Sequence, residues 1–241
     1  MSDAYSFFKF SRIDKYLVKS IVDSELWCAS PETLNDPFDC QIDLRKSFAN
    51  AEARATSPRK EQLLAVLNDT DLLEKWTWKL KSAGVCAFSM SSDNSLMWSH
   101  YAENHKGVCL LYEFSESFFS GATDRIIGVS KATYINNFFT EWVETTPSIE
   151  DSENFIFELT MNYLTVKSEL WAYEDEVRIL SFSEGPLALP QGCLKQVCFG
   201  LQTPKADIEL VMSLTSKFAG VDVFYQMERG PNDFGIQMRK L

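Results

Sequence analysis

The chain has 241 residues, of which 45% are hydrophobic and 24% charged, and this composition excludes disorder for most of its length. Its 34 acidic and 23 basic residues give a formal net charge of −11, which opposes non-specific binding to nucleic acid because such binding needs clustered Lys and Arg. A local basic pocket for one small anionic ligand is compatible with this charge.

Hydrophobic spacing and turn residues predict an irregular mixture of strands and helices. Asp14 is placed to cap the first helix, and Pro58 marks a helix start. In chain order the predicted elements are a strand over 5–10, a helix over 16–22, a strand over 25–29, helices within 47–82, a strand over 84–90, a short helix from residue 94 or 95, strands over 107–114 and 128–134, a helix over 153–164, strands over 174–182 and 194–199, a helix over 207–218, and strands over 221–227 and 234–238 around a turn at 229–233.

Strands and helices do not alternate regularly as βαβ units, so the sequence favours an α+β fold over a doubly wound sheet. We expect a single domain over residues 1–241, with a mixed or antiparallel, split β-sheet flanked by helices. Residues 47–82 are expected to form a helical insertion within this domain.

The six cysteines indicate the compartment. They form no Cys-x-x-Cys pair, and several lie in apolar runs, so we expect reduced thiols packed as small core residues. The amino terminus has no signal-peptide pattern, and no stretch approaches the ~20 apolar residues that span a bilayer. The expectation is a cytoplasmic protein that does not enter the membrane.

The sequence contains no standard short signature for phosphate binding, dinucleotide binding or serine hydrolysis. His100 and His105 are five residues apart, unlike the i, i+4 pair that a helical zinc site prefers. We therefore expect no metal.

Two clusters near the start of the chain are candidates for ligand contact. Lys9 lies between Phe8 and Phe10, and on a strand it faces away from both, so it is either a surface lysine or a ligand contact. The loop after the second strand carries an amide, two carboxylates and a ring, contributed by Asn35, Asp36, Phe38 and Asp39. This loop is either a turn that caps its own backbone or a site for ribose hydroxyls or a cation.

A third cluster lies within residues 95–107 and combines an indole, two imidazoles, a phenol and an ammonium group. Its members include Trp98, His100, Tyr101 and Lys106. Such a set can stack on a flat base and bind its polar edges. The alternative is an amphipathic helix whose Trp98 and Tyr101 pack inward.

The fourth cluster, over residues 167–179, brings several acidic residues into an apolar strand. Glu174, Glu176 and Arg178 alternate, so on a strand they share one face. Trp171 and Tyr173 precede them. The pattern indicates either a cross-strand ion-pair network or a reaction centre.

Together these clusters resemble a bacterial family, domain-of-unknown-function family 2971, whose name carries no established activity. The matching segments follow one another from Lys9 to Gly200, and only the helical insertion and the C-terminal end lack them. They are residues 8–10 (FKF), 35–40 (NDPFDC), 86–89 (CAFS), 96–102 (LMWSHYA) and 105–109 (HKGVC), and Lys167 with 171–179 (WAYEDEVRI).

The order of residues also resembles, more loosely, that of ADP-ribosyltransferases. Residues 174–176 (EDE) are similar to the Glu-x-Glu of transferases that use NAD. This resemblance implies that Glu176 is the catalytic glutamate, which holds the ribose 2′-hydroxyl and stabilises an oxocarbenium-like transition state. It also implies that Glu174 orients the acceptor.

The same resemblance assigns binding residues. It implies that Trp98 or Tyr101 stacks on a flat ring and that Lys9 or His100 contacts ribose or phosphate. The chain departs from the pattern at two places. Lys9 stands where these enzymes usually have Arg or His, and a serine-containing run that starts at Ser89 replaces the usual Ser-Thr-Ser.

Three functions are compatible with these residues. The first is an NAD- or nucleotide-utilising ADP-ribosyltransferase or NAD glycohydrolase, with a small nucleotide-like ligand, an unidentified macromolecular acceptor and a role in bacterial defence or toxin biology. The second is a non-catalytic module that binds a nucleotide or a partner in the same cleft. The third is a magnesium-dependent nuclease that uses Asp36, Asp39, Glu174 and Glu176, although no Glu-x-Lys follows the acidic pair.

Overall fold

A computed structural model describes residues 4–120, 125–150, 152–231 and 235–241. It has an α+β fold in which helices flank a large curled mixed sheet, as the sequence predicts. The predicted turn at 229–233 and the predicted strand at 234–238 extend into residues 232–234, which lie outside the described part of the chain.

The main sheet orders its strands differently from the chain. The strands are β1 (Ala4–Ser11), β2 (Glu25–Cys28), β3 (Gly84–Ser89), β4 (Val108–Ser115), β5 (Ile126–Lys131), β6 (Thr133–Tyr134), β7 (Val166–Lys167), β8 (Glu176–Ser181), β9 (Gly185–Ala188), β10 (Leu194–Phe199), β11 (Phe224–Arg229) and β12 (Ile236–Lys240). The order in the main sheet is β12-β11-β10-β4-β1-β3-β8-β5, and short pairs form between β2 and β9 and between β6 and β7. Strands β10 and β11 run parallel whereas β10 and β4 run antiparallel, so the sheet is mixed.

The sheet is split between β1 and β3. Strand β1 pairs with β4 along its whole length. It pairs with β3 at one position only, where Phe8 lies opposite Ser89. Because the two strands diverge beyond this pair, side chains from both line an opening in the middle of the sheet. This opening interrupts the pairing of neighbouring strands within the mixed sheet.

Helices cover the sheet and fill the segment predicted as an insertion. They are α1 (Lys15–Asp23), α2 (Leu44–Arg54), α3 (Arg59–Asn68), α4 (Thr70–Lys81), α5 (Ser95–Tyr101), α6 (Glu116–Phe119), α7 (Phe138–Thr145), α8 (Ser152–Thr165) and α9 (Lys205–Ala219), with 3-10 helices at Pro31–Thr33, Pro147–Glu150 and Glu169–Glu174. The Asp14 carboxylate caps α1 by accepting the N–H groups of Tyr16 and Leu17, as predicted. Among the described residues, no helix has the length and apolarity needed to cross a membrane.

The helices α2 to α4 pack on the main sheet. A buried cluster joins Phe48 of α2 and Leu63 of α3 to Val85 of β3 and Leu180 of β8. Full burial of such side chains contributes roughly 1.5–3 kcal/mol each. The segment predicted as an insertion is therefore fixed to the sheet by apolar contacts.

Several predicted boundaries are wrong. The strand predicted over 174–182 begins only at Glu176, because residues 169–174 form a 3-10 helix. The strand predicted over 128–134 divides into β5 and β6. Helix α7 and strand β9 have no counterpart in the prediction, because short apolar segments lack a decisive period.

Candidate functional site

A cleft of about 120 Å³ opens where the sheet is split. Its lining residues come from β1, β3, α5, the loop before α2 and the segment that joins β7 to β8. They are Phe8, Lys9, Phe10, Leu34, Asn35, Asp39, Ala87, Phe88, Ser89, Met97, Tyr101, Lys167, Glu174 and Glu176. Surface cavities of about 520 and 660 Å³ lie elsewhere, but neither has a buried charged side chain in its wall. The small cleft is the candidate site because of the chemistry of its lining residues, although other cavities are larger.

Residues that the sequence singles out in five separate segments meet at this cleft. They are Lys9, Phe10, Asn35, Asp39, Ser89, Tyr101, Glu174 and Glu176. Arg178 lies behind the cleft and contacts Asp39 and Glu176. The split sheet thus assembles charged and polar groups that are up to 167 positions apart in the chain.

Lys167, at the end of β7, lies at the centre of an ion-pair network in the cleft wall. Its Nζ donates to a carboxylate oxygen of Glu174, and it lies 3.0 Å from Oε2 of Glu176 and 3.6 Å from Oδ2 of Asp39. All four side chains are buried. Removing one partner from such a network leaves an uncompensated buried charge, which is strongly destabilising.

Sequence reasoning did not assign Lys167 to the site. The available signal was a lysine at the end of an apolar helix, seven residues before Glu174. A lysine that follows an apolar helix directly is a candidate for burial. Because lysine is almost never fully buried unless it is paired, such a lysine indicates a nearby acidic partner.

Arg178 of β8 uses all five of its N–H donors. Nε and Nη2 donate to the two carboxylate oxygens of Glu176 at 2.8 and 3.0 Å. Nη1 and Nη2 donate to the two oxygens of Asp39, and Nη1 also donates to the carbonyl oxygen of Leu164 at 2.7 Å. The side chain is 1% exposed, so its planar fork holds both carboxylates in fixed orientations.

The backbone turns sharply between the two glutamates. Asp175 has φ 42° and ψ 55°, a left-handed conformation that is uncommon for a residue other than glycine. Glu174 therefore projects from the end of a 3-10 helix, whereas Glu176 is the first residue of β8. The prediction that Glu174 and Glu176 share one face of a strand is wrong, although both carboxylates reach Lys167.

Hydrogen bonds from neighbouring strands hold this turn. Ser89 Oγ donates to the carbonyl oxygen of Glu174 at 2.7 Å. The backbone N–H of Glu176 donates to Tyr134 Oη at 2.8 Å. Ser89 thus supports the backbone of the site by its side chain, at the position where β1 and β3 still pair.

The two glutamates differ in their protonation. Burial opposes the charged form of Glu176, but the positive charges of Arg178 and Lys167 outweigh it and lower the pKa of Glu176. Burial raises the pKa of Glu174, which has an ion pair with Lys167 and none with Arg178. Glu176 is therefore the fixed anion, and Glu174 takes up a proton first.

Tyr101, the last residue of α5, links Glu174 to the loop before α2. Its Oη donates to Oε1 of Glu174 and accepts an N–H of the Asn35 side chain at 2.8 Å. Burial, followed by the neighbouring carboxylate, raises the pKa of Tyr101 far above its ordinary value. The phenol therefore keeps its proton and acts as a donor to Glu174.

Lys9 brings a further positive charge to the cleft. Its Nζ donates to the carbonyl oxygen of Ala87 at 2.9 Å and lies 5.3 Å from the centre of the Phe88 ring. No described carboxylate lies within 4.0 Å of this ammonium group, in contrast to Lys167. The cleft thus has one cation that is free of ion pairs to carboxylates.

The ring-stacking role expected for Trp98 does not fit the structure. Trp98 is 0% exposed, packs edge-on against Phe10 and donates from Nε1 to the carbonyl oxygen of Ser92 at 2.7 Å. His100 and Lys106 are exposed and do not line the cleft. Inward packing, the alternative reading of this helix, accounts for the indole.

Trp171 and Tyr173 lie beside the cleft but outside its lining. The ring of Trp171 lies 5.1 Å from Lys167 Nζ. The ring of Tyr173 lies 6.1 Å from that of His100. Trp171 thus contacts the network, Tyr173 contacts the exposed His100 of α5, and neither side chain lines the cleft.

Asp36 and Phe38 also lie outside the cleft. Asp36 accepts the N–H of Phe38 at 3.0 Å, as in the self-capped turn that the sequence left open. Phe38 is 84% exposed and lines a second cavity of about 270 Å³, which shares Asp39 and Lys167 with the cleft. The described part of the chain contains no group of three or more His, Cys, Asp or Glu side chains arranged to hold a metal ion.

The fold and the cleft define an α+β protein with a buried ion-pair network at the split of its sheet. The model of a family described as a protein of unknown function, DUF2971, matches residues 97–179. Over this segment the chain is similar to that family, in agreement with the sequence motifs. Tyr101, Lys167, Glu174 and Glu176 fall inside the match. No curated protein and no solved structure matches the chain, and no comparison supports a similarity to ADP-ribosyltransferases.

Proposed function

We propose that the chain is an NAD- or nucleotide-utilising enzyme that acts as an ADP-ribosyltransferase or NAD glycohydrolase. The observation that supports it best is the meeting of Glu174 and Glu176 at Lys167 in the wall of one cleft, with Tyr101 beside them. Loss of nicotinamide from ribose leaves positive charge on the sugar. A fixed, ionised carboxylate stabilises such a charge.

Glu176 suits the role of this carboxylate. Its lowered pKa keeps it charged, and Arg178 fixes both of its oxygens before the reaction. A preorganised group of this kind is typically worth about 3–4 kcal/mol of transition-state stabilisation. Glu174, which takes up a proton more readily, suits orientation of the acceptor and proton exchange with it.

The volume of the cleft limits which part of NAD it accepts. About 120 Å³ is slightly less than the ~150 Å³ cavity that holds a benzene ring. The cleft therefore takes one ring of the dinucleotide, either the nicotinamide or the adjoining ribose, and the remainder lies across its mouth. Phe8, Phe10 and Met97 offer apolar surface for such a ring.

The acceptor and the compartment belong to the same proposal. Asp39 and Lys167 also line the second cavity, so a side chain of a macromolecular acceptor can approach the network there. We expect the protein to act in the cytoplasm, because all six of its cysteines are free thiols. The family resemblance adds the expectation of a role in bacterial defence or toxin biology.

A specific observation favours a second candidate, a non-catalytic module that binds a nucleotide or a partner in the same cleft. Glu174 and Glu176 both have ion pairs with Lys167 within the protein. A buried network that is satisfied in this way can serve as a rigid wall for recognition.

The geometry gives less support to a metal-dependent nuclease. Asp39 and Glu176 direct their oxygens to Arg178, and a cation that replaced these contacts would meet a buried guanidinium group. Asp36 is engaged with its own loop.

The test is release of nicotinamide from NAD by the purified full chain, measured by liquid chromatography and mass spectrometry. We expect wild-type protein to release nicotinamide and Glu176→Gln to release it about 100- to 1,000-fold more slowly, the typical effect of losing one preorganised group. Glu169→Gln is the matched control, because Glu169 is exposed on the 3-10 helix that ends at Glu174. This control should act like the wild type.

Because Glu176 is buried and paired, its variant can fail to fold, and circular dichroism of each variant is therefore part of the test. Tyr101→Phe keeps the ring and removes the donor to Glu174, so it should reduce the rate in a folded protein. Intact NAD after prolonged incubation with folded wild-type protein contradicts the enzymatic proposal. A thermal shift without consumption of NAD favours the binding module, since a 100-fold excess over Kd stabilises by about 2.7 kcal/mol.

A further inference from the structure

Two of the free thiols face each other directly behind the cleft. Ala29 and Val85 form an antiparallel bridge in which each N–H donates to the other carbonyl oxygen at 2.8 Å. The adjacent pair in such a ladder is not hydrogen-bonded, and its Cα atoms are typically ~4.5 Å apart with the side chains close together. In this register the adjacent pair is Cys28 and Cys86. Cysteines at that typical spacing fall within the ~4.4–6.8 Å between Cα atoms that a disulfide requires.

Both thiols are in the core, 0% and 1% exposed, and both are free. The neighbouring Cys28 thiol is the main cause that lowers the pKa of Cys86, to about 7. Lys9 lowers it further and burial opposes it. The thiolate is the reactive form of cysteine, and a neighbouring ammonium group favours it.

A second facing pair of cysteines has the opposite environment. Cys109 of β4 and Cys198 of β10 are Cα partners in the main sheet, and both are buried. Burial raises the pKa of Cys198 to about 12 and that of Cys109 well above its ordinary value. No cation lowers the pKa of either thiol. This pair is therefore an internal control for the effect of Lys9 on Cys86.

We propose that Cys28 and Cys86 are a redox-sensitive thiol pair that hydrogen peroxide converts to a disulfide. The Cys86 thiolate attacks one peroxide oxygen, an S–O bond forms, the O–O bond breaks, and the leaving hydroxide takes up a proton to become water. The Cys28 sulfur then attacks the resulting sulfenic acid, the S–S bond forms, and the S–O bond breaks. The departing hydroxide takes the Cys28 proton and leaves as a second water.

The position of the pair connects it to the cleft. Cys86 immediately precedes Ala87 on β3, and both Ala87 and Lys9 line the cleft. Lys9 is only half-buried, and its positive charge lowers the pKa of the buried Cys86 thiol. Oxidation removes the thiolate that faces Lys9, and the ammonium group is then free to bind an anionic ligand.

The test exposes the reduced, folded full chain briefly to hydrogen peroxide, blocks the remaining thiols with N-ethylmaleimide in denaturant, and analyses the intact mass and the tryptic peptides. We expect four labelled cysteines, a linked peptide pair containing Cys28 and Cys86, and a protein mass about 2 Da lower before labelling, the mass of two hydrogens. Dithiothreitol should restore six labels. Cys86→Ala should abolish the link, whereas Cys109→Ala should retain it.

Lys9→Gln tests the cause of the selectivity. It should slow formation of the link severalfold while circular dichroism shows an intact fold. Six labels after oxidation, a link between Cys109 and Cys198 with Cys28 and Cys86 still labelled, or overoxidation of Cys86 without a link overturns the proposal. None of these outcomes depends on NAD turnover, so the test stands apart from that of the proposed function.

Discussion

Arg178 allows a quantitative test of the ion-pair network. Replacing it with Met puts a long apolar side chain in its place. The change removes the five N–H donors that bind two carboxylates and a carbonyl oxygen. Breaking a buried ion pair by removing one partner costs about 3–5 kcal/mol. Asp39 and Glu176 each retain Lys167, at 3.6 and 3.0 Å, so we expect the lower end, about 3 kcal/mol.

Urea denaturation followed by tryptophan fluorescence measures this change. With a slope of about 3 kcal/mol per molar urea, a loss of about 3 kcal/mol lowers the midpoint by about 1 M. Arg178→Lys keeps the charge but has fewer donors and no planar fork, so it should rescue only part of this loss.

The matched control is Arg239→Met, because the Arg239 side chain is 54% exposed and its ion pair with Glu228 lies on the surface. Such pairs contribute about 0–1 kcal/mol, and the midpoint should move by less than about 0.3 M. If Arg178→Met moves the midpoint no more than this control does, or if Arg178→Lys matches the wild type, the network does not hold the site together as described.

Three further predictions concern the same region. Asp39 and Glu176 have lowered pKa values in the folded state. The stability that they contribute is therefore present above their unfolded pKa values of about 4 and should be lost as the pH falls through their folded pKa values. Urea midpoints measured between pH 7 and pH 3 test this loss. The raised pKa of Glu174 has the opposite effect on stability, because its charged form is disfavoured in the folded state. The free energy of unfolding of Glu174→Gln should therefore increase relative to that of the wild type as the pH rises from 4 to 7, in the same measurement. Asp175→Val should lose about 1–3 kcal/mol in thermal denaturation, because a β-branched residue is strained at φ 42°, whereas Asp175→Gly should be tolerated.

The acidic cluster shows how far residue types alone predict the site. An alternation of Glu174, Glu176 and Arg178 in an apolar segment indicates an ion-pair network or a reaction centre. The structure shows the ion pair of Arg178 with Glu176, and the same carboxylate is the one proposed for catalysis. The left-handed turn at Asp175 was not predictable, because nothing local requires a non-glycine residue to adopt it. That turn is what brings both carboxylates to one lysine.

Trp98 and Lys167 illustrate two opposite errors in predicting the site from the sequence, a residue assigned to the site that lies outside it and a site residue that was not assigned. On a helix as short as α5, spacing does not separate a ring that faces the core from one that faces a ligand, and Trp98 packs in the core. Lys167 is buried only because Asp39, 128 positions earlier in the chain, is folded against it. Such long-range pairing depends on sheet topology, which the spacing of residues within one segment does not encode.

The most direct test of the central claim is isothermal titration of the folded full chain with NAD, because both the enzymatic and the binding proposals require that this cleft holds a nucleotide-like ligand. We predict binding of one NAD per chain that Tyr101→Phe weakens and that Glu169→Gln leaves unchanged. Absence of binding at millimolar NAD, or binding of equal affinity in all three proteins, contradicts the assignment of the cleft between β1 and β3 as the nucleotide site.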